Sequence, residues 1–397
     1  MSNTLAAETA VHEKTQPRYK IPWVPFFIAL AAIGALHYLI WELLSDAYPV
    51  GHAFRLTLGL YLTSSCIAIP AGFASLRTSN QRLGVALSWV GMLALGLFSS
   101  LFVLTVLRSL ALLVLLIFGL QIVNIEPITG LAVVTLAVLA TFAGLLVARA
   151  SPAVVNVKIH LENLPQSLEG FRIAQITDIH VGPTIRTKYM QRIVDKVNAL
   201  KADLVAITGD VVDGDVATLR SHVAPLHGLL AVEGVALVIG NHELYSGVHA
   251  WVEEFRRLGL KVLLNEHFVV QRGEASIAIA GVTDHTTARF FPEMACDPHA
   301  AISGAGQVAN VKVLVAHQPV TAAAASKAGF DLSLHGHTHG GQWWPWNYFV
   351  RMQQPVVRGL HRFGNMWSYT SVGTGYWGPP KRHFRSEITL LTLHTKV

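Results

Sequence analysis

His335-Gly336-His337-Thr338-His339-Gly340-Gly341-Gln342 decides how the chain is read. It follows Asp331-Leu332-Ser333-Leu334, an apolar run that reads as the end of a buried strand. His337 and His339 are two residues apart, so in extended backbone both rings point to one side. The glycines let the chain turn sharply and let a ligand approach. Neutral imidazole is the commonest protein metal ligand. The stretch therefore reads as half of a metal site on a strand end.

Working outward, the same pattern recurs upstream. Apolar runs of about five residues alternate with helical-period segments from residue 151 onward, as in a layered α/β domain. Strands are expected at 154–161, 171–177, 204–208, 235–239, 277–282, 311–316, 332–334, 369–372 and 388–393. Helices are expected at 186–200, 217–230 and 251–258. Asp178 and His180 follow one strand, Gly209-Asp210 the next, Gly240-Asn241-His242-Glu243 the third, His317 another, and His337 and His339 the last. Functional groups in open α/β sheets gather at strand carboxyl ends. Five such ends carrying carboxylate, amide or imidazole are hard to reach by accident. The donors are oxygen and nitrogen with no cysteine, a set that suits Mn, Fe or Zn better than a thiolate site does.

Residues 21–150 have a different character. Their only charged residues are Glu42, Asp46, Arg55, Arg77, Arg82, Arg108, Glu126 and Arg149. Four apolar stretches, 22–44, 53–75, 83–123 and 130–147, approach or exceed the roughly 20 residues a spanning helix needs. No Gly or Pro marks a turn beside Arg108, so the third is read as one long helix. The division is a polar segment 1–21, a membrane bundle of about four helices over 22–150, and a layered α/β-sandwich domain over 151–397. Lys14, Arg18 and Lys20 precede the first stretch and Arg77 and Arg82 follow the second, while the loop at 45–52 has no Lys or Arg. Basic residues favour the cytoplasmic side. The expectation is a multi-pass inner or plasma membrane protein with its catalytic domain in the cytoplasm; a fifth span would reverse the side.

The formal charge is +6, yet no dense basic run with interleaved aromatics is present, so no nucleic-acid partner is expected. The excess favours membrane lipids or an anionic substrate. Cys66 and Cys296 fall in different parts and give no disulfide framework.

The order Asp-x-His, Gly-Asp, Gly-Asn-His-Glu, lone His, Gly-His-x-His resembles the calcineurin-like metallophosphoesterases. The extended histidine stretch is similar to their membrane-associated bacterial branch, which includes phosphodiesterases and UDP-diacylglucosamine pyrophosphatases. The resemblance covers residues 151–397. It implies two divalent metal ions, with Asp178, His180 and His339 holding the first, Asn241, His317 and His337 the second, and Asp210 bridging both. Two cations about 4 Å apart clamp a phosphate and share a deprotonated water, the bridging hydroxide that attacks phosphorus. The resemblance also implies that His242 donates a proton to the leaving oxygen and that Asp213 orients it. Glu243 reads as a helix-start residue near the positive dipole end. His335 reads equally as a neighbour of the ligands or as a core histidine. Asp284 and His285, after the strand at 277–282, are candidates for lining the site.

Trp343, Trp344 and Trp346 around Pro345, and the loop from Gly373 to Arg382, read as aromatic surfaces near lipid headgroups, with Lys381, Arg382 and Arg385 available to phosphate. The expected activity is hydrolysis of a phosphodiester or pyrophosphate bond of a lipid-linked substrate. Two alternatives stay open: a soluble nucleotide substrate with the helices as tether, and a non-catalytic membrane scaffold.

Overall fold

The computed structural model describes residues 23–45, 51–75, 78, 80–122, 125–305 and 308–396. The polar segment 1–21, with Lys14, Arg18 and Lys20, and also Arg77, lies outside the described residues. Four helices open the chain: α1 (Trp23–Ser45), α2 (Gly51–Ala74), α3 (Gln81–Ile117) and α4 (Glu126–Arg149). Each is long and apolar enough to cross a membrane. Inward residues such as Ile40, Leu62, Phe98, Leu101 and Ala137 form the bundle core. Ile28, Leu60, Leu113, Leu139 and Phe142 face outward and are exposed, a surface composition that suits lipid and not water.

α3 runs unbroken through Arg108, as its lack of turn residues predicts. Its side chain is absorbed by the bundle. Nε donates to Thr129 Oγ1 at 3.0 Å, and the other guanidinium nitrogens donate to the carbonyls of Leu43 and Glu126. At 1.5 Å per residue these 37 residues reach about 55 Å, well beyond a hydrocarbon core of roughly 30 Å. Part of the surplus is used by the following domain, which packs on Gly96, Ser99 and Ser100 of α3.

The remaining elements are β1 (Ala153–Leu161), β2 (Arg172–Ile176), α5 (Thr187–Ala199), β3 (Leu204–Ile207), α6 (Val216–Val223), β4 (Val235–Leu237), α7 (Asn241–Ser246), α8 (Val248–Arg257), β5 (Lys261–Val262), β6 (Glu266–Arg272), β7 (Ala275–Gly281), α9 (Pro298–Ile302), β8 (Val311–Val315), α10 (Ala322–Lys327), β9 (Leu332–His335), α11 (Trp346–Val350), β10 (Gly359–Phe363), β11 (Met366–Thr370) and β12 (Glu387–Thr395). They form two six-stranded sheets, ordered β1-β12-β2-β3-β4-β5 and β10-β11-β9-β8-β7-β6. β2 to β5 run parallel, as do β7, β8, β9 and β11.

Strand alternation explains the layering. Ile277 and Ile279 point to the first sheet and meet Leu204, Ala206 and Val238 between the sheets. Ala278 and Ala280 point the other way, and their small side chains let α9 and α10 close on that face. α5, α6 and α8 cover the outer face of the first sheet with Ile193, Leu219 and Phe255. With both faces buried, β2, β3 and β4 read as continuous apolar runs. The result is a four-layer α/β/β/α sandwich behind a helical bundle. β6 and β10 escaped the sequence reading because they are edge strands, and their exposed sides carry Glu266, Gln271, His361 and Arg362.

Gly72 and Gly91 set the α2–α3 approach: a Cβ on Gly91 would lie 2.6 Å from the Gly72 Cα. Gly91→Leu is expected to destabilise the bundle by about 1–3 kcal/mol through overpacking, read as a lower melting temperature in detergent.

Candidate metal centre

All the candidate ligands lie on loops that leave the carboxyl ends of parallel strands. Asp178 and His180 follow β2, Asp210 follows β3, Asn241 and His242 open α7 after β4, His317 follows β8, and His337 and His339 follow β9. The facing sheets aim these ends at one place. Three sets of ligand-type atoms each fall within 4.8 Å of one another: Asp178/His180/His339, His180/Asp210/His242, and Asp210/His317/His337. Asp210 belongs to two of them. Its Oδ2 is 3.1 Å from His317 Nε2 and 3.9 Å from both His180 Nε2 and His242 Nε2. Asn241, an amide, joins through its Oδ1, 3.2 Å from His317 Nε2. The structure thus brings together every residue nominated as a ligand, with His242 and Asp213 beside them.

The tautomers fit a cation. His317 Nδ1 lies 2.7 Å from the Thr208 carbonyl, to which its N–H donates, leaving Nε2 to face the cluster. His180 Nδ1 lies 2.9 Å from the Asp213 carboxylate, and its Nε2 then faces His339 Nε2 at 3.0 Å. Imidazoles held by one nitrogen with the other turned inward are what metal sites use to fix ligands. Burial, with the neighbouring His180 and Arg382, pulls His339 well below the usual imidazole range, and burial with His317 brings His337 down to about 4. Their nitrogens therefore offer lone pairs at neutral pH.

The backbone is bent to serve the site. Asp178, His180, Asp210, His337 and His339 all have φ between +49° and +69°, the left-handed region that favours glycine. Gly240 and Gly336 are needed for space. A Cβ on the first would overlap the Asp210 carboxylate, and one on the second would overlap Thr177 and the Asp178 carboxylate.

His242 stands at the rim, with Nδ1 2.6 Å from Asp213 Oδ1. Burial lowers its pKa, but the carboxylates of Asp210 and Asp213 outweigh this and hold it up to about 9. Asp213 is pushed up by burial and pulled further down, below the usual carboxylate range, by His180 and His242.

The sequence pattern described as calcineurin-like phosphoesterase matches residues 171–341, which include every one of these groups. A transmembrane protein with metallophosphoesterase domain from Danio rerio is 38% identical over 274 residues, 67% of this chain and 62% of that protein. An uncharacterized metallophosphoesterase from Campylobacter jejuni is 32% identical over 272 residues, 67% of this chain and 70% of that one. The chain is a calcineurin-like metallophosphoesterase. Its family indicates a metal-dependent phosphoester hydrolase, and relatives in Danio rerio and Bos taurus are themselves named as transmembrane proteins. The match spans about 62% of the length of those two relatives.

Several residues of this metallophosphoesterase do more than their sequence positions announce. Glu243 is fully buried, and its carboxylate accepts from the backbone N–H groups of Asp210, Val211, Val212 and Gly240. It lies in the first turn of α7, as its position after Gly240 predicts, and beyond that it fastens the loop after β3 to the start of the helix. Burial and the charge of Asp210 push its pKa up to about 7. Asp213 serves two histidines where one was expected. His335 is a core histidine bonded to Ser333 Oγ. Asp284 is fully buried, and Gln318 Nε2 donates to both of its carboxylate oxygens at 3.0 Å. Arg382 does not reach outward for phosphate. It is fully buried and donates to the carbonyls of Gly375, Val372 and His339, with nothing in its surroundings in the sequence to signal this. Lys381 is buried too, against Ser100 and Gly96 of α3, while Arg385 stays at the surface and donates to the Ser151 carbonyl.

Two outcomes follow from this geometry. Glu243→Ala is expected to leave four buried donors unsatisfied and cost about 3 kcal/mol or more, whereas Glu243→Gln keeps part of the network; thermal melting of the two variants checks the order. In metal-free protein, protonated His242 stabilises the fold fully below its unfolded pKa of 6.5, and this is lost as pH rises through about 9. Melting temperature should therefore fall across that window, and fall less in His242→Asn.

Proposed function

We propose that this protein is a membrane-anchored phosphohydrolase that uses two divalent cations to cleave a phosphodiester or pyrophosphate bond of a lipid-linked substrate. The observation that carries the reading is the position of Asp210, whose carboxylate is shared between an Asp178/His180/His339 side and an Asn241/His317/His337 side. On this reading the first three residues hold one cation, the second three hold the other, and Asp210 lies between them. Such cations, when bound, supply Lewis acidity that polarises the phosphoryl group and makes water a stronger acid.

The protein's own groups divide the remaining work. His242, held through Nδ1 by Asp213, presents Nε2 to the cluster side and delivers a proton from it to the leaving oxygen. Asp213 also fixes His180, so one carboxylate sets the proton donor and a ligand together. The NH of His337 donates to both oxygens of Asp178, which keeps that carboxylate turned inward.

A lipid-linked substrate is supported by the route out of the site. The segment after His339 carries Trp343 and Trp346, whose indole N–H groups both donate to Ser99 of α3, at 3.2 and 3.1 Å. The loop that bears a candidate ligand is therefore tied to a helix of membrane-spanning length. An even number of spans returns the chain to its starting side, and the basic residues before the first and after the second span put that side in the cytoplasm. One observation favours a soluble nucleotide: Tyr245 and Trp377 flank His242 and are exposed, offering ring faces to a base.

Asn241→Ala and His337→Ala are expected to abolish Mn-dependent hydrolysis of bis-p-nitrophenyl phosphate while the protein still inserts in membranes. His242→Ala should retain its metal and lose about 10²–10⁴-fold in turnover, checked by elemental analysis beside steady-state rates. Across a panel of lipid-linked pyrophosphates and nucleotides in mixed micelles, rates should follow the surface concentration of substrate; rates that follow only bulk concentration would select the nucleotide.

A further inference from the structure

Beside the candidate metal centre lies a second cleft of about 600 Å³ that the proposed chemistry does not use. Its floor is Gly340, directly after His339, and its walls come from α11, from residues 355–361 and from His383 and Phe384. Arg351, Arg358, His361 and His383 line it, and no carboxylate does. Neither arginine forms an ion pair among the described residues, and both are exposed. The Arg358 guanidinium lies over the Phe384 ring, 5.1 Å from its centroid, which orients it by stacking and leaves its N–H edges free of carboxylate. His361 Nε2 donates to the Arg358 carbonyl, and His383 Nδ1 accepts from the Trp344 backbone N–H. Two guanidiniums lining one cleft with no carboxylate in its walls repel each other, and an anion between them relieves this.

The rim identifies the kind of anion. Trp344 is exposed on one wall, and Tyr348, Phe349 and Met352 are exposed on the same segment. That segment is the one pinned to Ser99 of α3 through Trp343 and Trp346. The cleft therefore opens where charged walls and an apolar edge meet a helix of membrane-spanning length. A small water-soluble anion has no use for such an edge, whereas an amphiphile with a phosphate head and acyl tails matches both parts.

We propose that this cleft is a binding site for the phosphate headgroup of an anionic membrane phospholipid, with Arg351 and Arg358 as its ligands and the Trp344–Met352 segment against the acyl region. The site is separate from the metal centre and shares only the Gly340 turn with it. Its test does not read hydrolysis, so it stands or falls apart from the proposed activity.

The full-length protein in detergent is titrated with phosphatidylglycerol and, separately, phosphatidylcholine, and retained lipid is counted by native mass spectrometry. Wild type should retain phosphatidylglycerol in preference. Arg351→Gln with Arg358→Gln should weaken that retention about tenfold and leave phosphatidylcholine unchanged, while Arg351→Lys with Arg358→Lys keeps most of it. Thermal melting confirms that the variants fold. Equal retention of the two lipids by wild type, or unchanged phosphatidylglycerol retention in the glutamine variant, would overturn the proposal. Displacement of the lipid by millimolar inorganic phosphate would overturn it as well, by showing that the cleft reads free phosphate.

Discussion

Glu243 is a fully buried carboxylate, and the candidate centre depends on it. Four backbone N–H groups converge on its two oxygens, three from the turn after β3 and one from Gly240 at the start of α7. Without that acceptor the turn carrying Asp210 has buried donors with nowhere to go. With it, Asp210 is held where imidazoles from both sheets can reach it. The cost of burying Glu243 shows in its raised pKa and is offset by charge-assisted bonds. A second carboxylate, Asp213, does the matching work on the rim, gripping His180 and His242 at once.

The same economy explains the strained backbone. A ligand that follows a strand directly would continue the pleat and point along it. Turning the side chain into the space between the sheet ends requires a sharp change of direction. The left-handed conformation of Asp178, His180, Asp210, His337 and His339 provides it. For non-glycine residues each such conformation costs on the order of 1 kcal/mol. The two-sheet core, with Ile277, Leu204 and Leu332 fully buried, supplies burial on the scale of about 1.5–3 kcal/mol per large side chain and so can hold five of them. Aspartate and histidine bear the left-handed region better than branched residues do, so ligand chemistry and backbone geometry select the same residue types.

Much of this was legible because each ligand stands immediately after an apolar run. β2, β3, β4, β8 and β9 are buried on both faces, so their ends are visible in the sequence, and the polar residue that breaks each run is the functional one. α3 was legible for the opposite reason: nothing interrupts it at Arg108. What escaped was set by tertiary placement. β6 and β10 lie at sheet edges and carry charges, so no run marks them. Arg382 looks like a surface cation beside Lys381 and Arg385, yet its guanidinium is buried among carbonyls, and burial lowers its pKa to about 10. Asp213 gave no sign of its second partner, since His180 is 33 residues away in sequence.

Arg382 also bears on why the helical bundle and the α/β sandwich are packed together and not merely tethered. Its guanidinium bonds the carbonyls of His339 and Val372, while its own backbone N–H donates to the Gly144 carbonyl of α4 at 3.0 Å. Lys381, one residue earlier, lies in a niche of small residues: a Cβ on Gly144 would fall 2.6 Å from its Cγ, and its ammonium donates to Ser100 and Gly96 of α3. Burial brings that ammonium down to about 8, so its fit in the niche has a real electrostatic cost that the two acceptors offset. Two adjacent residues thus join both long helices to the carbonyl of a candidate metal ligand. A shift of α3 against α4 would alter the niche first, then Arg382, then the turn that carries His339. An anchor that served only to tether would need none of these contacts; a flexible linker after Arg149 would do. The packing of Lys381 into the bundle makes the long apolar helices part of the support of the candidate metal centre.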